Sequence, residues 1–174
     1  MNNKKYPCPE LVVQTAGLPE AGQDLTADVP FDAFGIELEG RFRSPGAVHI
    51  ALHISAVRSD ILVSGSLRVS LEGLCDRCAE WSPLTVEAPK LFYRFKNRLG
   101  EAIDLTEGVR EDIVLALPQS HLCKPDCRGL CPLCGQNLNL GSCDCVPTEE
   151  TPQEEQADEN LKPWAALDDL HLPQ

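Results

Sequence analysis

Eight of the nine cysteines in this 174-residue chain fall into short-gap groups, and that spacing constrains the fold more than any other feature. Cys75 and Cys78 form a CxxC pair. Cys123, Cys127, Cys131, Cys134, Cys143 and Cys145 lie in the stretch LCKPDCRGLCPLCGQNLNLGSCDC. Two residues between cysteines let a tight turn aim both sulfurs at one ion, with backbone N–H groups softening the thiolate charge. A tetrahedral zinc site takes four such soft ligands. CPLCG, with Pro132 and Gly135, has the composition of a zinc knuckle, and CDRC is a plainer version. Eight ligands divide into two sites, each contributing on the order of 10–16 kcal/mol of apparent folding free energy if structural.

Spacing alone leaves the grouping open. One partition joins Cys75 and Cys78 to Cys123 and Cys127, and Cys131 and Cys134 to Cys143 and Cys145. Another pairs the two CxxC knuckles and leaves Cys123, Cys127, Cys143 and Cys145 together. A single zinc with spare cysteines is a third case. The first is preferred, because it closes the C-terminal loop locally and uses the other site to staple the helix exit to the sheet. An iron–sulfur cluster also uses four thiolates. A redox dithiol of the thioredoxin kind sits at a helix start in a βαβ pattern that this chain lacks. Cys8 reads as an incidental thiol near a frayed terminus. His121, beside the block, could stand in for one cysteine.

Upstream of the cysteine block the pattern is that of strands. Leu11-Val12-Val13 suggests a short edge strand, and Gly17 to Pro30 reads as an acidic, turn-rich connection. Ile36, Leu38 and Phe42 alternate with polar residues, and Val48, Ile50, Leu52 and Ile54 share one face opposite His49 and His53. Ile61 to Leu74 alternates again, with a bulge allowed near Gly65. Leu84 to Phe95 is extended and interrupted by Pro89. One polar face throughout favours antiparallel pairing. Val109, Ile113, Leu117 and Val114 then form an apolar stripe at helical spacing over about 106–117. Asp104 or Thr106 suits its cap, Glu107 its first turn, and Pro118 its end. The expected class is α+β: an antiparallel sheet or small barrel, one covering helix, and a Cys-rich zinc-binding segment at 122–145. Residues 1–145 read as one domain, β-rich over 11–95. An acidic linker (146–160) and a short helix or docking tail (161–172) carrying Trp164, Leu167 and Leu170 follow.

The formal charge of −12 disfavours tight, nonspecific binding of nucleic acid, which needs many phosphate-neutralising cations. Eight acids against one lysine after Cys145 leave the first 145 residues near −5. One stretch runs the other way. KLFYRFKNR interleaves aromatics with Lys90, Arg94, Lys96 and Arg98, a composition suited to single-stranded RNA. On alternation, Phe92, Arg94, Lys96 and Arg98 share the outer face while Leu91, Tyr93 and Phe95 point inward. The plainer reading is a strand with a charged outer face. No phosphate loop, nucleophile elbow or metalloprotease helix is present, and four soft ligands leave a metal no open position. The chain is therefore expected not to be an enzyme and to take no small-molecule substrate. It has no apolar run long enough to span a bilayer and no apolar h-region near its start, so a cytoplasmic location is expected.

The order of these features resembles the YceD family, the large ribosomal RNA subunit accumulation proteins. The resemblance is carried by Cys75-Asp76-Arg77-Cys78, then DLTEGVREDIVLALP, the cysteine block, and WAALDDL after an acidic linker. These cover roughly Leu67 to Leu170. The resemblance implies a non-enzymatic factor needed for accumulation of 23S rRNA and production of the large ribosomal subunit. Its partners would be precursor rRNA or a ribosomal protein of the large subunit. Acidic bulk charge favours a basic protein as the direct contact. The rival reading is a thiol-based redox or metal-responsive regulator.

Overall fold

A computed structural model describes residues 8–145, apart from Glu39 and Ser44. The chain divides into two units, Met1–Cys143 and Asp144–Gln174, and of the second only Asp144 and Cys145 are among the described residues. The expected linker (146–160) and tail (161–172) lie outside them.

The strands are β1 (Val12–Gln14), β2 (Gln23–Pro30), β3 (Phe42–Arg43), β4 (Ala47–Val57), β5 (Asp60–Leu74), β6 (Trp81–Phe95) and β7 (Ala102–Asp104), followed by helix α1 (Thr106–Ala116). All described pairings are antiparallel. β2, β4 and β5 lie side by side, β6 covers the far edge of β5, and β3 continues past β4 along the near edge. β1 and β7 pair separately. The sheet is open, with no pairing between β2 and β6 among the described residues, so the barrel alternative falls away.

Alternation puts Val48, Ile50, Leu52 and Ile54 of β4 and Ile61, Val63, Leu67, Val69 and Leu71 of β5 into one core. β6 keeps pace with β5 only by a bulge: Leu67 pairs with Ala88 but Gly65 with Leu91. The extra residue falls at Pro89–Lys90, which is how a strand of 15 residues accommodates a proline that cannot donate to the ladder. It also switches the inward set from Leu84, Val86 and Ala88 to Leu91, Tyr93 and Phe95. Opposite the bulge, a Cβ on Gly65 would lie 2.1 Å from the Ala51 carbonyl oxygen, so that position admits only glycine without movement of β4.

Helix α1 buries Val109 and Ile113 and packs against β6, where Tyr93 donates a hydrogen bond to Asp112. Gly108 permits this approach, since a Cβ there would come within 2.9 Å of the Tyr93 ring. Asp104 accepts the Thr106 backbone N–H at 3.0 Å, as its position before the helix suggests.

Several expectations need correction. The acidic connection contains a full strand, β2, whose Leu25, Ala27 and Val29 turn inward while Asp24 and Asp28 reach His53 and His49 across the pair. Its alternation is masked by the outward acids of an edge strand. Ile36–Leu38 is not a strand; Phe31–Phe34 forms a 3-10 turn closed by Gly35, and pairing resumes only at Phe42. Val114 leaves the helical stripe and is 45% exposed. Cys8 is not in a frayed end: it is 1% exposed, with its N–H on the Thr106 hydroxyl.

Candidate metal centre

The link between β5 and β6 is a knuckle. The Ala79 N–H bonds to the Cys75 carbonyl and the Cys75 N–H to the Glu80 carbonyl, both at 2.9 Å. CPLCG repeats this pattern: Gly135 N–H to the Cys131 carbonyl at 2.9 Å, and Cys131 N–H to the Gln136 carbonyl at 2.8 Å. The fifth residue must take a left-handed backbone in each. Gly135 does so at a φ of 73°, and Ala79 at 55° against its Cβ.

After α1 the chain returns to the first knuckle. Cys75 Sγ lies 3.8 Å from Cys127 Sγ and Cys78 Sγ 3.6 Å from Cys123 Sγ. All four sulfurs sit within 4.8 Å of one another, and so do those of Cys131, Cys134, Cys143 and Cys145. This is the first of the partitions, the one that closes the C-terminal group locally. Four sulfurs around a zinc at about 2.3 Å would stand about 3.8 Å apart, so the spacing fits a tetrahedral thiolate shell.

Electrostatics supports the same reading. Burial pushes the Cys75 thiol up, but backbone N–H groups of Cys123, Cys78 and Arg77 outweigh it and bring the group down to about 6. The N–H groups of Cys134 and Leu133 draw Cys131 down to about 6. Burial and the neighbouring sulfurs push Cys123 up to about 12. Each thiolate thus opposes the next, and a dication relieves that opposition. Cys75, Cys78, Cys123 and Cys127 would hold one ion, and Cys131, Cys134, Cys143 and Cys145 a second. A metal there would supply a cross-link with a filled shell.

Neighbouring groups hold these sulfurs in place. Arg77 donates to the Cys127 carbonyl at 3.0 Å, and Asn139 Nδ2 donates to Cys127 Sγ at 3.3 Å. Asp76 accepts the His121 N–H at 2.9 Å and Arg41 at 3.1 Å, which holds its carboxyl below the usual range. His121 joins neither sulfur group; its Nε2 lies 2.7 Å from the Ser82 hydroxyl, tying the returning chain to β6. Asn139 was not among the residues that spacing singled out. Its only sequence signal is the Asn-Leu-Asn run between knuckle cysteines.

The cationic stretch runs from the bulge near the middle of the β5–β6 pair to its opposite end, from roughly 30 Å (Lys90) to roughly 45 Å (Phe95) along the strand from Trp81 at about 3.3 Å per residue. Lys90 is exposed in the bulge and Phe92 is 66% exposed on the outer face. Arg94 donates through Nε and Nη2 to Asp60 at 2.9 and 2.6 Å. The strand stops at Phe95, so Lys96 and Arg98 belong to the following turn rather than to its face. Arg98 pairs with Glu101, while Lys96 and Lys90 have no ion-pair partner among the described residues. Arg58 joins them through the fold. It occupies the β4–β5 turn at a φ of 61°, next to Ser59, whose hydroxyl donates to Asn97 at 2.8 Å.

The family model described as large ribosomal RNA subunit accumulation protein YceD matches residues 95–171. An uncharacterised protein of Mycobacterium tuberculosis is 33% identical over 104 residues, covering 50% of this chain and 49% of the relative. The maize protein named large ribosomal RNA subunit accumulation protein YCED homolog 1, chloroplastic, is 44% identical over 46 residues, covering 26% of this chain and 16% of its own. Its Arabidopsis thaliana namesake is 37% identical over 48 residues, covering 28% and 15%. The aligned part spans about half the length of the mycobacterial relatives, or 49%. No solved structure matches the chain. The matched segment begins at the cationic turn and takes in α1 and the six clustered cysteines after it, and over that segment, less than half of the chain, the sequence is similar to the YceD family.

Proposed function

We propose that this chain is a non-enzymatic ribosome-biogenesis factor that supports 23S rRNA accumulation and large-subunit assembly. In this reading it contacts precursor rRNA through the cationic end of the sheet. The family description supports the role, since it names accumulation of large-subunit RNA and no enzyme class. The observation that carries the contact is the exposed Lys90, Phe92 and Arg94 of β6, extended by Lys96, Arg98 and Arg58 in the turns at its end. Cations flanking an exposed ring suit an unpaired strand, whose phosphates and base faces they engage together.

The metal reading belongs with this one. Zinc, as two ions, suits two closed thiolate sets, and it would be structural. Residues 1–145 would form the working domain, with 146–160 as an acidic linker and 161–172 as a docking tail, in the cytoplasm. Among the described residues no helix is long and apolar enough to cross a membrane. A basic ribosomal protein is the second reading for the partner, favoured by the charge of −12. A thiol-based regulator would need exchangeable, readily oxidised cysteines.

The test is rRNA sedimentation in a deletion strain complemented by variants. The expected result is reduced 23S rRNA without the gene, restored by the wild type and not by the Arg58→Glu/Lys96→Glu double variant. Normal 23S levels in the deletion strain would overturn the function. Full complementation by the double variant, with undiminished binding of single-stranded RNA, would overturn the contact.

A further inference from the structure

The loop that closes the second knuckle also reaches into the first sulfur group. Asn139 lies between Cys134 and Cys143, yet its Nδ2 donates to Cys127 Sγ, a member of the other set, at 3.3 Å. Its orientation is fixed from both sides. Asn139 Oδ1 accepts the Arg128 N–H at 3.0 Å, while the Asn137 carboxamide oxygen accepts from Asn139 N and Nδ2 at 3.0 and 2.9 Å. The loop is in turn laid against the first set. Leu138 N–H bonds to the Gly129 carbonyl at 2.9 Å, Leu130 bridges to Asn137, and Leu130 N–H bonds to the Arg77 carbonyl at 3.0 Å. Gly129 is required here: at a φ of 76°, a Cβ would stand 3.0 Å from that same Arg77 oxygen.

A single strip of backbone, Arg128 to Asn139, therefore connects a sulfur of the first set to the knuckle of the second. We propose that Asn139 is a positioning residue for metal at Cys75, Cys78, Cys123 and Cys127. Metal at the Cys131 knuckle, by ordering the loop that carries Asn139, slows metal loss from the first centre. This rests on the reading of both cysteine groups as metal centres. The physical cause is a hydrogen bond from a neutral amide to a thiolate, which stabilises the charged ligand and holds its lone pairs in place. Ligand-supporting hydrogen bonds of this kind change metal affinity by about 10–100-fold. Coupling between two binding sites is reciprocal in equilibrium affinity, so whatever factor metal at the second centre adds to the affinity of the first, metal at the first adds to the affinity of the second.

The experiment loads the full chain with zinc or cobalt(II) and follows release to a chromogenic chelator in four proteins. These are the wild type, Asn139→Asp, Cys134→Ser and the combined variant. Asn139→Asp keeps the acceptor for the Arg128 N–H but removes the donor to Cys127. Wild type is expected to hold two ions. Cys134→Ser should hold one, released about 10-fold faster than the slow phase of the wild type. Asn139→Asp should hold two, with the first centre's release accelerated to a similar extent, and the combined variant should be no faster than Cys134→Ser alone. The thiolate-to-cobalt absorption of the first centre should also shift in Asn139→Asp, which a purely structural loop residue would not cause. Unchanged release and spectrum in Asn139→Asp would overturn the role of Asn139. Additive acceleration in the combined variant would overturn the coupling. A wild type that binds no metal would instead overturn the metal reading beneath both.

Discussion

The two ends of the β5–β6 pair are built from the same device and put to different uses. At one end Asp76 accepts the His121 N–H and pairs with Arg41; at the other Asp60 accepts the Asn97 N–H at 3.0 Å and pairs with Arg94. Each carboxylate fastens a returning segment to the ribbon. Beyond that the ends diverge. Cys75, Cys78 and Cys127 are almost wholly buried, and their thiolates depend on one another. The cations at the other end are exposed and paired singly or not at all among the described residues. A closed set fails as a whole when one member is lost, whereas exposed charges fail one at a time. That asymmetry is what separates a staple from a contact surface.

The largest effect should come from breaking the closed set. Cys78→Ser is expected to remove one ion and destabilise the chain by several kcal/mol, since a structural zinc contributes on the order of 10 kcal/mol to apparent folding free energy. Metal analysis and thermal unfolding would check this, and a variant that keeps its metal would contradict it. Next comes the middle of the ribbon. Gly65→Ala should cost about 1–3 kcal/mol or more, because the new methyl meets the backbone of β4 rather than a movable side chain. Denaturant unfolding would register it, with metal content unchanged.

Smaller changes sharpen the contrast. Ala79→Gly should stabilise the first knuckle by about 1 kcal/mol, by relieving the left-handed backbone that Gly135 already occupies without strain. A drop in thermal stability would show that the φ of 55° is not a liability there. The smallest effect belongs to the half-buried carboxylate of Asp60. The Asn97 N–H, then Arg94, hold its carboxyl below the usual range. A depressed folded pKa means that its contribution is present above the ordinary carboxylate range and is lost as pH falls through the lowered value. Arg94→Ala should therefore lower stability slightly at neutral pH and flatten the acid limb by the same small amount, the difference from wild type vanishing below the lowered value. A large loss at neutral pH would mean that the cationic end is structural after all.

How much of this the sequence discloses depends on which force shapes each part. β4 and β5 bury one clean face, so Val48 to Ile54 and Ile61 to Leu71 announce themselves by alternation. β2 does not, because its outward Asp24 and Asp28 answer histidines on another strand and look like loop residues in isolation. The bulge at Pro89–Lys90 is foreshadowed by Gly65 and Pro89 separately, but their opposition is a fact of register. Economy of chain closure favours one of the cysteine groupings that spacing leaves open, and the sulfurs gather in that arrangement. Arg58 and Asn139 are different in kind. Arg58 is placed by a turn whose Ser59 bonds to Asn97, 38 positions on, and Asn139 by a bond to Cys127, 12 positions back. No local pattern encodes the first, and the Asn-Leu-Asn run does not disclose the bond to Cys127.

In the proposed function the cysteines hold the structure and the opposite end makes the contact. Metal content measured together with thiol titration, on chain purified without oxygen, tests it most directly. Two tightly held zinc ions are expected, with eight thiols that stay unreactive until the metal is chelated. Metal-free protein with readily oxidised cysteines would contradict it, and would move the function from the cationic tip to the thiols themselves.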